Sequence, residues 1–89
     1  MELTDAIKEK IHGALPDATI YVLDPNQDGV HFEAIVISNT FSGLPLVKQH
    51  QVVMNALKDD FKERVHALAL KTFSPEKWAN EKHKFPLAD

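Results

Sequence analysis

The chain has 89 residues, 44% of them apolar, a formal net charge of −3 and no cysteine. That is enough chain for one compact domain around one core and too little for two. The acidic balance argues against holding nucleic acid or an anionic membrane by bulk charge, and the missing thiols exclude disulfides and thiolate chemistry by this chain, so any soft-metal site must take its sulfur from a partner.

The opening MELTDAIKEK is acidic and has no long apolar run, unlike a signal or transit peptide. No window approaches the roughly 20 apolar residues of a membrane span, so a soluble, cytoplasmic protein is expected. Thr4 to Leu15 reads as an amphipathic helix, with Ile7, Ile11 and Leu15 recurring at helical spacing. Thr4 is placed to cap it, Asp5 suits its first turn, and Pro16 ends it. ATIYVLD reads as a strand and VHFEAIVIS as a second, joined by PNQDG, in which Asp28-Gly29 is expected to supply the positive φ of a hairpin turn. Alternation puts Phe32, Ala34 and Val36 on one face and His31, Glu33, Ile35 and Ile37 on the other. His31 and Glu33 should therefore project together, away from the main core.

NTFSGLPL carries the Ser, Gly and Pro of a loop, and Pro45 suits the first turn of a helix. From Leu46 to about Asp59 the positions Leu46, Val53 and Leu57, joined by Val47, Met54 and later Phe61, fit one helical stripe. Lys58, Asp59 and Asp60 interrupt it, and a short turn or second helix through Phe61 leads into the strand VHALALKTF, where His66, Leu68 and Leu70 share a face. Ser74 as N-cap, Pro75 at the first helical position and Glu76 in the first turn start a last helix holding Trp78 and Ala79. Ordered structure is expected over about 3–82, with fraying from 83 to 89. The order is α-β-β-α-short α-β-α, an α+β domain with a three-stranded sheet packed against helices.

HFEAIVISNTFSG, LVKQHQVVMNAL and VHALALKTFSPEKW, in this order, resemble the BolA family, and the likeness runs over about residues 3–80. The most specific stretch is the last: a histidine opening a strand, an apolar-Ala-apolar run, Lys71-Thr72, then the Ser-Pro-Glu-x-Trp helix start. The resemblance implies a class II KH-like fold, in agreement with the element order. It further implies a monothiol glutaredoxin of the Cys-Gly-Phe-Ser type as partner. In such complexes a [2Fe-2S] cluster is bridged by glutaredoxin cysteine, glutathione sulfur and BolA ligands, and His66 matches the family's most constant ligand. Imidazole is a borderline ligand that accepts iron where thiolates are scarce, and His in place of Cys raises a cluster's potential.

Family members usually add a His or Cys from the loop between the first two strands. Here Asp24 to Gly29 contains neither. The nearest candidate is His31, which matches the histidine of the family's HF motif; an oxygen ligand such as Asp28, or no second ligand from this chain, are the alternatives. The family also often shows Arg on both sides of the central-helix histidine, where this chain has Gln49-His50-Gln51, so basic character is weakened there.

Each residue also has a plainer use. His66 read from spacing alone is a rim histidine packed on Leu68. His31 is either a solvated strand residue beside Glu33 or a ligand whose tautomer Glu33 fixes from behind. His50 is expected to pack beside Leu46, Val53 and Leu57, His12 and His83 to lie on the surface, and Trp78 to anchor the last helix in the core. Lys77, Glu81, Lys82 and Lys84 read as a solvated face.

Two other functional classes bear on this sequence. A nucleic-acid-binding KH domain clamps phosphate with a GxxG loop. At the matching place this chain has Leu57-Lys58-Asp59-Asp60, without glycine and with two carboxylates, which disfavours direct nucleic-acid binding. A basic surface from Lys48, Lys58, Lys62, Arg64 and Lys71 is the alternative KH-like, transcriptional-regulator reading, and it would show as steep salt dependence. Catalysis is not expected: no serine or cysteine nucleophile stands in a recognisable setting, and there is no Gly-rich phosphate loop or full set of metal ligands. One or two histidines make a poor site without a partner's thiolates, so the isolated chain is expected to carry no metal. The sequence leaves open whether the free protein forms a homodimer and whether the cluster is stored, transferred or sensed.

Overall fold

Ile7, Ile11 and Leu15, spaced to share one helical face, wind α1 (Leu3–Ala14) onto the sheet and are each no more than 3% exposed. The structure, a computed structural model, describes residues 3–28, 30–59 and 68–85. Leu15 N still donates to Ile11 O at 2.9 Å before Pro16 stops the ladder. Because α1 begins at Leu3, Thr4 lies inside its first turn rather than capping it.

The two β-rich runs form β1 (Thr19–Leu23) and β2 (Phe32–Ile37), antiparallel in register from Thr19 opposite Ile37 to Leu23 opposite Glu33. A third strand, β3 (Leu68–Phe73), runs parallel to β2, from Phe32 beside Leu68 to Ile37 beside Phe73. The sheet order is β1-β2-β3, so β2 is central and is covered on both faces. Phe32 and Val36 join Ile7, Ile11, Leu15, Ile20, Phe41, Val53 and Leu57 in the main core. Ile35 and Ile37 face the other way into a smaller cluster with Phe73, flanked by Tyr21, Trp78 and Phe85. This side of β2 does point away from the main core, onto a second packed layer, and a near-continuous apolar run is the signature of a strand buried on both faces.

The turn between β1 and β2 also differs in detail. Its left-handed position, among the described residues, is Gln27 (φ 54°), and Gly29 lies outside them. After β2 a short 3-10 turn, Asn39–Phe41, is capped by Ser38, whose Oγ accepts from Thr40 N at 3.1 Å. The helix α2 (Leu46–Leu57) follows Pro45 and buries Val53 and Leu57 against α1 and the sheet. Leu46 and Val47, assigned to the same stripe, are instead 56% and 67% exposed. The expected short helix through Phe61 and the first residues of the third strand lie mostly or wholly outside the described residues.

Ser74, Pro75 and Glu76 start α3 (Pro75–Glu81) as their chemistry dictates, with Ser74 Oγ accepting from Lys77 N at 3.3 Å. A 3-10 turn, Lys82–Lys84, then delivers Phe85 onto Phe73 and Trp78 at ring-centroid distances of 5.8 and 5.5 Å. Phe85 thereby closes the far side of the second cluster.

Candidate metal-ligand site

Eight residues before β2, at Asp24, the chain bends so that Gln27 N donates to Asp24 O at 3.0 Å and Asp28 N to Asp24 Oδ1 at 3.3 Å. Asp28 then turns its carboxylate onto the segment entering β2. Its Oδ1 accepts from Val30 N at 2.9 Å and from His31 N at 3.0 Å, and its Oδ2 lies 3.0 Å from His31 Nδ1. Those donors, the His31 side chain foremost and then the two backbone amides, hold the Asp28 carboxyl far below the usual carboxylate range. An ionised carboxylate can only accept, so Nδ1 carries a hydrogen, and in the neutral ring the Nε2 lone pair is then left for a ligand.

The His31 side chain is 63% exposed, and Val30 beside it is 50% exposed. β2 and β3 are parallel, so both enter the sheet at the same end, and His31 sits immediately ahead of β2 there. The orienting carboxylate assigned to Glu33 is in fact that of Asp28. Glu33 is half-buried within β2, in register with Leu23 and Ala69. The sequence carried a signal for this pair, an aspartate three residues before a histidine across a turn, but alternation along a strand drew attention to Glu33 instead.

His66, and with it Lys62 and Arg64, lies outside the described residues. Of the other basic positions, Lys48 is exposed on α2 and Lys58 is exposed at its C-cap, ten residues and so about 15 Å apart along the helix axis. Lys71 lies on the far face of β3 over the Phe85 ring at 5.7 Å. These three described lysines are not gathered into one stripe. His50 is half-buried on α2, and His12 and His83 are exposed.

Two polar links that the sequence reading did not anticipate fix the frame. Gln49 Nε2 donates to Leu44 O at 2.7 Å, and Gln49 Oε1 accepts from Thr72 Oγ1 at 2.7 Å, tying α2 to β3. Asp17 accepts from Ser38 Oγ at 2.9 Å and from Asn39 N at 2.9 Å, tying the end of α1 to the end of β2. Among the described residues no three His, Asp or Glu side chains are grouped to hold a metal ion. What these residues offer an iron-sulfur cluster is one imidazole with its other nitrogen held by a carboxylate. That donor set fits a shared cluster whose remaining ligands come from elsewhere.

A family profile described as BolA-like protein matches residues 2–77. The chain belongs to the BolA-like family. Human BolA-like protein 2 is 32% identical over 94% of this chain and its own full length. The Escherichia coli protein named DNA-binding transcriptional regulator BolA is 27% identical over 88% of this chain and 81% of its own. Among solved structures, a BolA homologue from Coxiella burnetii superposes with a TM-score of 0.73 at 35% identity, covering 89% of this chain and 99% of that one. The BolA fold is thus the α+β arrangement described above. Among the described residues no helix is long and apolar enough to cross a membrane.

Proposed function

We propose that this BolA-like chain is a non-catalytic iron-sulfur adaptor: it binds a monothiol glutaredoxin and contributes imidazole to a [2Fe-2S] cluster that the partner and glutathione otherwise hold by sulfur. The cluster is its cargo, and the chain alone does not retain it. The observation that carries the reading is the His31–Asp28 pair. An exposed imidazole at the end of the sheet has Nδ1 engaged at 3.0 Å and Nε2 free to bind, which is the usual preparation of a metal-ligating histidine. The parallel β2–β3 pairing supports the same reading. His66 precedes Leu68 by two residues in the chain, and Leu68 pairs with Phe32, the residue after His31.

In this account His31 and His66 are the chain's two ligands, Asp28 holds the first in its binding tautomer, and family membership supplies the nature of the partner. When bound, the cluster absorbs in the visible and responds to the exchange of a ligand. The test is to titrate a glutaredoxin holding [2Fe-2S] and glutathione with this protein and to follow visible absorption and circular dichroism. A change saturating at one to one supports the adaptor.

The name of the Escherichia coli relative favours a second reading, regulation through direct DNA contact. It requires affinity that falls steeply with salt. The scatter of Lys48, Lys58 and Lys71 and the exposed Asp59 beside Lys58 weigh against it.

A further inference from the structure

Strand β3 closes the sheet on one side, and no described strand pairs with its outer edge. Phe73 O accepts from Ser38 N at 3.1 Å, so Phe73 turns its backbone groups toward β2. Alternate residues of a strand turn theirs to alternate sides, which leaves the N–H and C=O of Leu70 and Thr72 facing outward. Along that edge runs an open groove of about 260 Å³, walled by Leu46 and His50 of α2 on one side and Lys77 of α3 on the other, with Leu70, Lys71 and Thr72 along its floor. Leu46 exposes 56% of its surface at its mouth.

The charge there runs against that of the whole molecule, which is −3. Lys71 and Lys77 are both exposed, and the one acid of the groove's described lining, Glu81, is neutralised by Lys84 at 2.7 Å.

We infer that this groove receives an extended, acidic segment of a protein partner, which adds to β3 as a further strand. Each part of the geometry selects one property of the occupant. The outward amides and carbonyls of Leu70 and Thr72 require an extended backbone. Lys71 and Lys77 require carboxylates, and exposed Leu46 with half-buried Leu70 requires apolar side chains between them, an alternation that a strand presents naturally. The groove centres on the later part of β3, whose last residue stands about 16 Å beyond Leu68. His31 lies at the opposite end of the sheet, so this site is separate from the candidate ligand and both can be occupied together.

Lys71 has a simpler use as a charge that blunts an edge strand against self-association. Binding measurements separate the two. A labelled peptide of about ten residues, alternating glutamate with valine or leucine, is added to the full chain and followed by fluorescence anisotropy and amide NMR. Saturable binding is expected, with the largest amide shifts at Leu70 to Thr72 and none at His31. Lys71→Glu and Lys77→Glu, both surface changes checked for folding by circular dichroism, should each weaken it about tenfold or more. A lysine-for-glutamate version of the peptide should not bind.

Absence of binding by the acidic peptide overturns the inference, as does binding that spares Leu70 to Thr72. Shifts of these amides by a single-stranded oligonucleotide in place of the peptide would give the groove to nucleic acid. Concentration-dependent self-pairing of the chain through this edge, provoked by Lys71→Glu while the acidic peptide fails to bind wild type, would leave Lys71 as a guard and overturn the inference.

Discussion

His31 Nδ1 lies 3.0 Å from Asp28 Oδ2, and the same carboxylate also accepts from the backbone amides of Val30 and His31. One side chain thereby sets both the path into β2 and the orientation of the imidazole. We predict that in the wild-type protein the neutral ring of His31 carries its hydrogen on Nδ1, and that Asp28→Ala shifts it toward Nε2 while the fold persists. Imidazole 15N shifts of the metal-free protein measure this directly. An unchanged tautomer in the variant would remove Asp28 from the account.

The link between Gln49 and Thr72 predicts a stability effect. Thr72 is 5% exposed, and its hydroxyl donates to Gln49 at 2.7 Å. Gln49→Ala leaves that hydroxyl and the Leu44 carbonyl without their partner, a loss of about 1–2 kcal/mol. Urea unfolding should show a lower midpoint at an unchanged slope. An equal midpoint would mean that water replaces the amide at no cost.

Asp17 gives the fold a dependence on pH. Its carboxyl is held below the usual value, first by the Asn39 amide and then by the Ser38 hydroxyl, with burial opposing them. A carboxyl whose folded pKa is depressed adds stability above its unfolded pKa of about 4 and loses it as pH falls through the folded value. Ser38 is 1% exposed, so weakening its acceptor with Asp17→Asn should cost about 1 kcal/mol at pH 7. The gap between wild type and variant should narrow as pH falls from 7 to about 3. A gap of the same size at both pH values would contradict the assignment.

Phe85 tests how far the ordered chain extends. Its ring meets Phe73 edge-on at 5.8 Å and Trp78 at 5.5 Å, and it is half-buried. Phe85→Ala should cost about 2 kcal/mol and shift the fluorescence of the single tryptophan, Trp78, to the red. An unshifted spectrum would place the ring away from Trp78 in solution.

What the sequence disclosed follows from the range over which each signal acts. Ser74, Pro75 and Glu76 start α3 through contacts within one turn, so they could be read directly. Ile7, Ile11 and Leu15 were equally legible, because a helical period marks a shared face. The same period misled at Leu46 and Val47: it tells which residues share a face, and the surface they face stops short of the helix's first turn. Alternation put Ile35 and Ile37 on the face opposite the main core but did not show what covers them, since the short α3 and Phe85 lie some 40 to 50 positions away. For the candidate site, His31 was found from its motif, but its Asp28 partner depends on the turn at Gln27, which alternation does not encode.

If this chain's imidazoles join a cluster held otherwise by its partner, the visible circular dichroism of a monothiol glutaredoxin carrying [2Fe-2S] and glutathione must respond when it is titrated with wild type, His66→Ala and His31→Ala. A change saturating at one to one is expected for wild type, its loss with His66→Ala, and an altered spectrum with His31→Ala. Identical saturating spectra from all three proteins, or no change with any of them, would contradict it.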